Sequence, residues 1–284
     1  MKNIKLENKI AYFMLTFSIF ILNFKYLSFI SILFGTFISL FAILLIDYFR
    51  LYKYKTTKIL LFIISIPIFI YSINKISYFI GDNILKEYSI IIITISLLTS
   101  IFLIGNKGYH TIIKIIILSS YFLFFIFILG IILTFIHIKP NYLTINLLVG
   151  DNIFLKTIFC VLSQVYCYFL IYPITKTKFL KKDILVSSVF QIIIYLFIYS
   201  ILGILTIYLK YPYVTIFKKV SLFYFIERIE IIFSLNYLFY FYYFLLLIYF
   251  QLKTIICLNV KKKKQQILIL LFLVIILFLS SMMF

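Results

Sequence analysis

Residues Ile112–Ile136 read IIKIIILSSYFLFFIFILGIILTFI and carry one charge, Lys114, near their start. About 20 apolar residues wound as a helix cross the hydrocarbon core of a bilayer, whereas a barrel strand crosses in about 9–11 residues of alternating polarity. This stretch is too long for a barrel strand and does not alternate, so it predicts a membrane-spanning helix. Seven further regions approach or meet the same length: Leu27–Ile46, Ile59–Ile80, Tyr88–Ile104, Ile153–Tyr172, Ile184–Leu209, Ile231–Leu252 and Gln266–Met283. A ninth, Ala11–Phe24, is shorter and is read as a thin helix of the same bundle. The expected fold is therefore all-α, a polytopic transmembrane bundle of about nine spanning helices forming a single membrane domain over residues 1–284.

Composition points the same way. Of the 284 residues, 65% are hydrophobic and 12% charged, against about 45–50% apolar and about 25% charged in soluble domains. A water-soluble chain of this length could not bury so much apolar surface. The 35 Phe and 25 Tyr accompany a general Ile, Lys and Asn excess that looks like the codon bias of an AT-rich genome. They are not read as a binding surface.

The net charge of +19 raises the question of an anionic partner, and the placement of the charges answers it. With nine crossings and a cytoplasmic N-terminus, the inner segments hold Lys2, Lys5, Lys9, Arg50, Lys53, Lys55, Lys58, Lys107, Lys114, Lys176, Lys178, Lys181, Lys182, Lys253 and Lys261–Lys264. These are eighteen of the 27 basic residues. The positive-inside rule favours that orientation by two to one, and anchoring to anionic headgroups accounts for the basic excess. The lipid bilayer is the expected partner, and nucleic acid is not.

No enzymatic constellation is present. The sequence has no HExxH, GxSxG, P-loop or dinucleotide-binding fingerprint, so the chain is not read as an enzyme and no cofactor or metal is expected. Cys160, Cys167 and Cys257 lie in or beside apolar segments without CxxC spacing and read as packing residues. His110 and His137 are placed in loops on opposite faces.

Of eight acidic residues, Glu7, Asp47, Asp82, Glu87, Asp151 and Asp183 fall at expected helix ends or loops, where a solvated or capping role suffices. Glu227 and Glu230 differ. They share one helical face, with Arg228 turned about 100° from Glu227. They belong to Val214–Phe233, VTIFKKVSLFYFIERIEIIF, which predicts an amphipathic helix before the penultimate crossing, starting near Pro212 and lying along the interface or dipping into the bundle. Its charges either line the mouth of a pathway or anchor the segment at the headgroups.

A second unusual region is Asn146–Pro173, NLLVGDNIFLKTIFCVLSQVYCYFLIYP. Pro173 suits a helix terminus or kink, and Gln164 and Tyr166 are polar groups needing partners in hydrocarbon. They either face a substrate, as in interrupted transporter helices, or bond to neighbouring helices. The substrate-pathway candidates are thus Gln164, Tyr166, Pro173, Glu227, Arg228 and Glu230.

Two stretches carry a family resemblance. One is TKTKFLKKDILVSSVFQIIIYLFIYSILGILTI, following Pro173. The other is YPYVTIFKKVSLFYFIERIEIIFSL, with Tyr211-Pro212 and then Phe225-Ile226-Glu227-Arg228-Ile229-Glu230. Together with Asn146-Leu147-Leu148, they resemble the spore germination permease family, the B-type integral membrane subunit of endospore germinant receptors, within the amino acid–polyamine–organocation superfamily. The match covers Asn146 to Leu252. The resemblance implies an APC/LeuT-like but truncated bundle in the spore inner membrane, sensing or passing a small solute such as an amino acid beside a membrane-anchored subunit and a lipoprotein. Family members carry one more crossing and a Gly-rich, Leu-Pro break in the first helix, where Ala11–Phe24 has neither Gly nor Pro; Tyr166 stands where they often have an acid. The alternatives are an independent secondary transporter of a small organic solute and a non-transporting membrane assembly protein.

Overall fold

The computed structural model describes residues 2–24, 27–51, 54–143, 152–175, 181–217 and 229–259. Among these residues every regular element is a helix: α1 (Lys2–Leu22), α2 (Phe29–Tyr48), α3 (Lys55–Asn83), α4 (Ile90–Gly105), α5 (Tyr109–Thr134), α6 (Ile153–Thr175), α7 (Lys181–Leu202), α8 (Leu205–Tyr208), α9 (Pro212–Phe217) and α10 (Ile229–Asn259). Single 3₁₀ turns follow α5 at Phe135–His137 and Pro140–Tyr142. Among the described residues, six helices are long and apolar enough to cross a membrane, namely α2, α3, α5, α6, α7 and α10. Two shorter apolar helical segments, Lys9–Ile21 and Ile90–Gly105, fall in the regions read as the first and fourth crossings. The ninth region, Gln266–Met283, lies outside the described residues.

The burial pattern is that of a chain dissolved in lipid. On α2 the exposed stripe is Phe34, Phe37, Phe41, Leu44 and Tyr48, while Gly35, Thr36 and Ser39 are buried with Ile32, Ile43 and Ile46. Large apolar side chains face outward and small polar ones face inward. In water that arrangement would be unfavourable; in hydrocarbon, where Leu gains nothing by hiding, small residues let backbones approach and polar groups find partners inside. Ser28 starts α2 with a reciprocal cap. Its hydroxyl accepts from the Ser31 amide at 3.2 Å, and the Ser31 hydroxyl accepts from the Ser28 amide at 2.7 Å, satisfying two of the orphan groups at the helix entry.

The region read as one crossing over Ile184–Leu209 is broken. α7 stops at Leu202, Gly203 takes φ +58°, and the one-turn α8 follows. Only glycine adopts that left-handed conformation without penalty. The Tyr142 ring also covers the face where a Cβ would stand. The apolar count could not register the break, because Ile204 and Leu205 continue the hydrophobic run beyond it.

The chain divides into two compact units. The first comprises Met1–Phe49 with Ile117–Tyr240, and the second Arg50–Ile116 with Phe241–Phe284. Within the first, α1, α2, α6 and α7 pack together, and their contacts fix the helix directions. Along α1 and α7, Lys9 meets Asp183, Thr16 meets Gln191 and Phe24 meets Tyr195. Both numbers rise together, so the two helices run parallel. Along α2 and α6, Gly35 meets Cys160, Ser39 meets Gln164 and Asp47 meets Tyr168, again parallel. The α1–α2 hairpin therefore packs against the α6–α7 hairpin with like-directed helices paired.

The second unit is held by polar ties between apolar helices. The Thr94 hydroxyl of α4 donates to Ser77 of α3 at 2.9 Å, and Ser65 of α3 donates to the Gln251 carboxamide oxygen of α10 at 3.3 Å. At the end of α4, the Lys253 ammonium donates to Asn106 Oδ1 at 2.8 Å and to the Asn106 carbonyl at 3.3 Å, a cation at the negative end of a helix.

Candidate functional site

The polar groups of the first unit gather in three places. The first is a seam between α2, α6 and α7. Gln164 is fully buried, and its carboxamide oxygen accepts from the Ser39 hydroxyl. Its amide nitrogen donates to Ser188 Oγ at 3.2 Å. One side chain thus bridges three helices, with both ends of the amide occupied by protein. Gly35 and Cys160 sit one turn away, and a Cβ on Gly35 would fall 2.7 Å from both Cys160 Cβ and Sγ. The pattern Gly35-x₃-Ser39 facing Cys160-x₃-Gln164 is a small-residue stripe opposite a polar one, which brings the backbones close.

The second place is the end of the bundle that carries the start of α1. Lys9 Nζ lies 3.3 Å from Asp183 Oδ1, and the Tyr168 hydroxyl donates to Asp47 Oδ1. Each tie joins one hairpin to the other. Asp47 and Asp183, expected to be solvated or capping, instead link helices; their positions at helix ends were legible, but not which chain would lie beside them.

The third place is an aromatic cluster beneath α9. Of the amphipathic helix expected over Val214–Phe233, the stretch 218–228 lies outside the described residues; α9 starts at Pro212, and its Tyr213, Val214, Ile216 and Phe217 are all buried. Phe217 stacks on Phe233 of α10 with centroids 3.9 Å apart. Tyr213 meets Phe17 of α1, Phe127 of α5 and Tyr237 of α10 at 6.2–6.3 Å. Gly130 of α5 makes this packing possible, because a Cβ there would meet both the Phe217 and Phe233 rings at 2.5 Å. Asn236 of α10 reaches back to donate to the Leu123 carbonyl of α5 at 3.2 Å.

The sequence-derived candidates do not converge on one place. Gln164 forms the seam. Tyr166, two residues on, is buried but turned about 200° around the same helix. α6 runs through Pro173 to Thr175. Glu230 is the second residue of α10, and Glu227 and Arg228 lie outside the described residues. His110 falls in the first turn of α5 rather than in a loop, and His137 ends the 3₁₀ turn that follows α5. Sequence reasoning missed Ser39, Ser188 and Asn236. For Asn236 a signal existed: it is a lone amide in the run Ser234–Phe244, SLNYLFYFYYF, where a polar side chain must find an internal partner.

α1 is continuous from Lys2 to Leu22. Backbone carbonyls and amides that an unwound helix would present to a ligand are therefore used within α1 itself.

Among the described residues, these features define an all-helical integral membrane protein with buried polar ties between its apolar helices. No family model, curated protein or solved structure matches the chain.

Proposed function

We propose that this protein is a permease-like subunit of a nutrient germinant receptor, handling a small solute such as an amino acid in the spore inner membrane with its N-terminus in the cytoplasm. The observation that carries the reading is the parallel pairing of α1 with α7 and of α2 with α6. Two hairpins packed this way have opposite sense in the bilayer, which is the relation expected of inverted-topology repeats in secondary transporters. It supports an APC/LeuT-like arrangement of nine crossings, in which three crossings between the hairpins invert the second relative to the first. The Phe225–Glu230 element and the proline at Pro173 support the narrower link to germination permeases.

On this reading a membrane-anchored subunit and a lipoprotein are the partners. The pathway would run beside α6 and the segment leading into α10, with Glu227, Arg228 and Glu230 at its mouth. Gln164 holds α2, α6 and α7 in register more than it contacts solute, because both ends of its amide are taken.

The test is deletion of the gene in a sporulating host lacking redundant receptors, with germination scored against a nutrient panel. Loss of the response to one nutrient class, restored by the wild-type copy, is expected. Normal germination on every nutrient would overturn the receptor reading.

A further inference from the structure

Two polar atoms in the cluster beneath α9 have no partner. Asn236 is fully buried, and its amide nitrogen donates to the Leu123 carbonyl at 3.2 Å, which fixes the other terminal atom as the oxygen. That oxygen has no donor, and the buried Tyr213 hydroxyl has no hydrogen-bond partner either. The two side chains meet α5 within one turn of each other, Asn236 at Leu123 and Tyr213 at Phe127. Asn236 also shares its helix face with Phe233 and Tyr240, three residues before and four after. Phe233 stacks on Phe217 and Tyr240 meets Phe17, and Phe217 and Phe17 are both ring neighbours of Tyr213. The two atoms therefore belong to one aromatic surround.

A buried acceptor without a donor loses its hydration and gains nothing in return. In a chain with 35 Phe, Phe at 213 and Leu at 236 would fill the same space at no such cost. The chemistry of the vacant valences is specific. A carboxamide oxygen only accepts, a phenol oxygen can accept, and the faces of Phe17, Phe127, Tyr237 and Tyr240 attract positive charge. Among the described residues, the side chains named in this cluster include neither a cation nor a carboxylate. What fits is a compact group that brings both N–H donors and a positive charge.

We infer that Tyr213 and Asn236 form the polar end of a binding site for the primary ammonium group of a small organic solute, enclosed by the rings of α1, α5, α9 and α10. The inference rests on the solute-handling reading for its physiological meaning. It assigns the recognition to α9 and α10 side chains, away from the Gln164 seam.

The test uses the full chain purified in detergent, with thermal unfolding followed against propylammonium chloride. Tetramethylammonium chloride, which has the charge but no N–H, and 1-propanol, which has the chain but no charge, serve as comparisons at matched ionic strength. A concentration-dependent rise in Tm with propylammonium, well above that with either comparison, is expected. Asn236→Leu should abolish the rise while leaving the ligand-free Tm unchanged or higher. Tyr213→Phe, which keeps the ring and removes the second acceptor, should weaken the propylammonium response by on the order of tenfold. Equal shifts with all three compounds, no shift at all (water alone satisfying the two atoms), a shift that survives Asn236→Leu, or an undiminished response in Tyr213→Phe would each overturn the site. If Asn236→Leu does not fold, Tyr213→Phe decides. A failed shift removes the ammonium site alone, whereas normal germination in the deletion strain removes the receptor reading alone.

Discussion

Ser39 of α2 donates its hydroxyl hydrogen to the carboxamide oxygen of Gln164 on α6, joining residues 125 apart in sequence. The bond pins two parallel helices that no short loop could have placed together. Its energetics are asymmetric. Ser39 can fall back on the Thr36 carbonyl of its own helix at 2.9 Å, and Ser188 on the Ile184 carbonyl at 2.9 Å, whereas among the described residues the Gln164 oxygen has Ser39 as its donor.

Removing the donor should therefore cost more than removing the amide. Ser39→Ala is expected to destabilise the protein by about 1–3 kcal/mol, and Gln164→Leu by roughly 0.6–1.7 kcal/mol, the range of interhelical bonds in membranes. In the Gln164→Leu background, Ser39→Ala should become nearly neutral. Reversible unfolding of the four variants in mixed micelles measures the coupling; additive costs would show that the bond carries no energy.

Close approach at Gly35 gives a second expectation. Gly35→Ala places a Cβ 2.7 Å from the Cys160 side chain, so α2 and α6 must separate, at about 1–3 kcal/mol. Gly81→Ala in α3 meets its nearest neighbours, Ile90 and Ile93, only at 3.8 Å. It should be neutral or stabilising by up to about 1 kcal/mol through helix propensity. The two variants unfolded side by side, with opposite signs expected, separate packing from a general intolerance of glycine replacement.

The break after α7 gives a third. Gly203 holds φ +58°, and a Cβ would meet the Tyr142 ring at 3.0 Å. Gly203→Ala should cost roughly 1–2 kcal/mol for the left-handed backbone. Gly203→Asn, which tolerates that conformation better, should cost less by this term. Equal costs, read from the shift in unfolding midpoint, would trace the effect to the Tyr142 contact alone.

What could be read in advance follows from which forces are local. Hydrophobic length is a property of each segment, so Ile112–Ile136 announced its helix, and eight of the nine apolar regions fall on described helices. Pro212 marked the start of α9 because proline fits a first helical turn. Gly203 escaped because hydropathy is blind to backbone sign. The seam escaped for a different reason: Ser39, Gln164 and Ser188 are ordinary polar residues until three helices align, and only Gln164 stood out by size. Asp47 and Asp183 were placed correctly at helix ends, yet their partners Tyr168 and Lys9 come from helices far away in sequence. Asn236 was signalled as a lone amide in its aromatic run, but neither it nor Tyr213 carried a sign of its neighbours, since a residue next to rings in sequence gives no indication of which rings it meets in space.

The two hairpins pair like-directed helices, and thiol cross-linking reads that pairing in the membrane. In a background with Cys160, Cys167 and Cys257 replaced by alanine, Lys9→Cys is combined with Asp183→Cys or with Tyr199→Cys, the latter about 24 Å further along α7 at 1.5 Å per residue. Membranes are then treated with a short bifunctional thiol reagent. The parallel arrangement predicts an intramolecular link in the Lys9→Cys/Asp183→Cys protein, where the native side chains lie 3.3 Å apart, and none in the Lys9→Cys/Tyr199→Cys protein. A link in the second protein without one in the first would mean that α1 and α7 run antiparallel, and the inverted-hairpin account would fall.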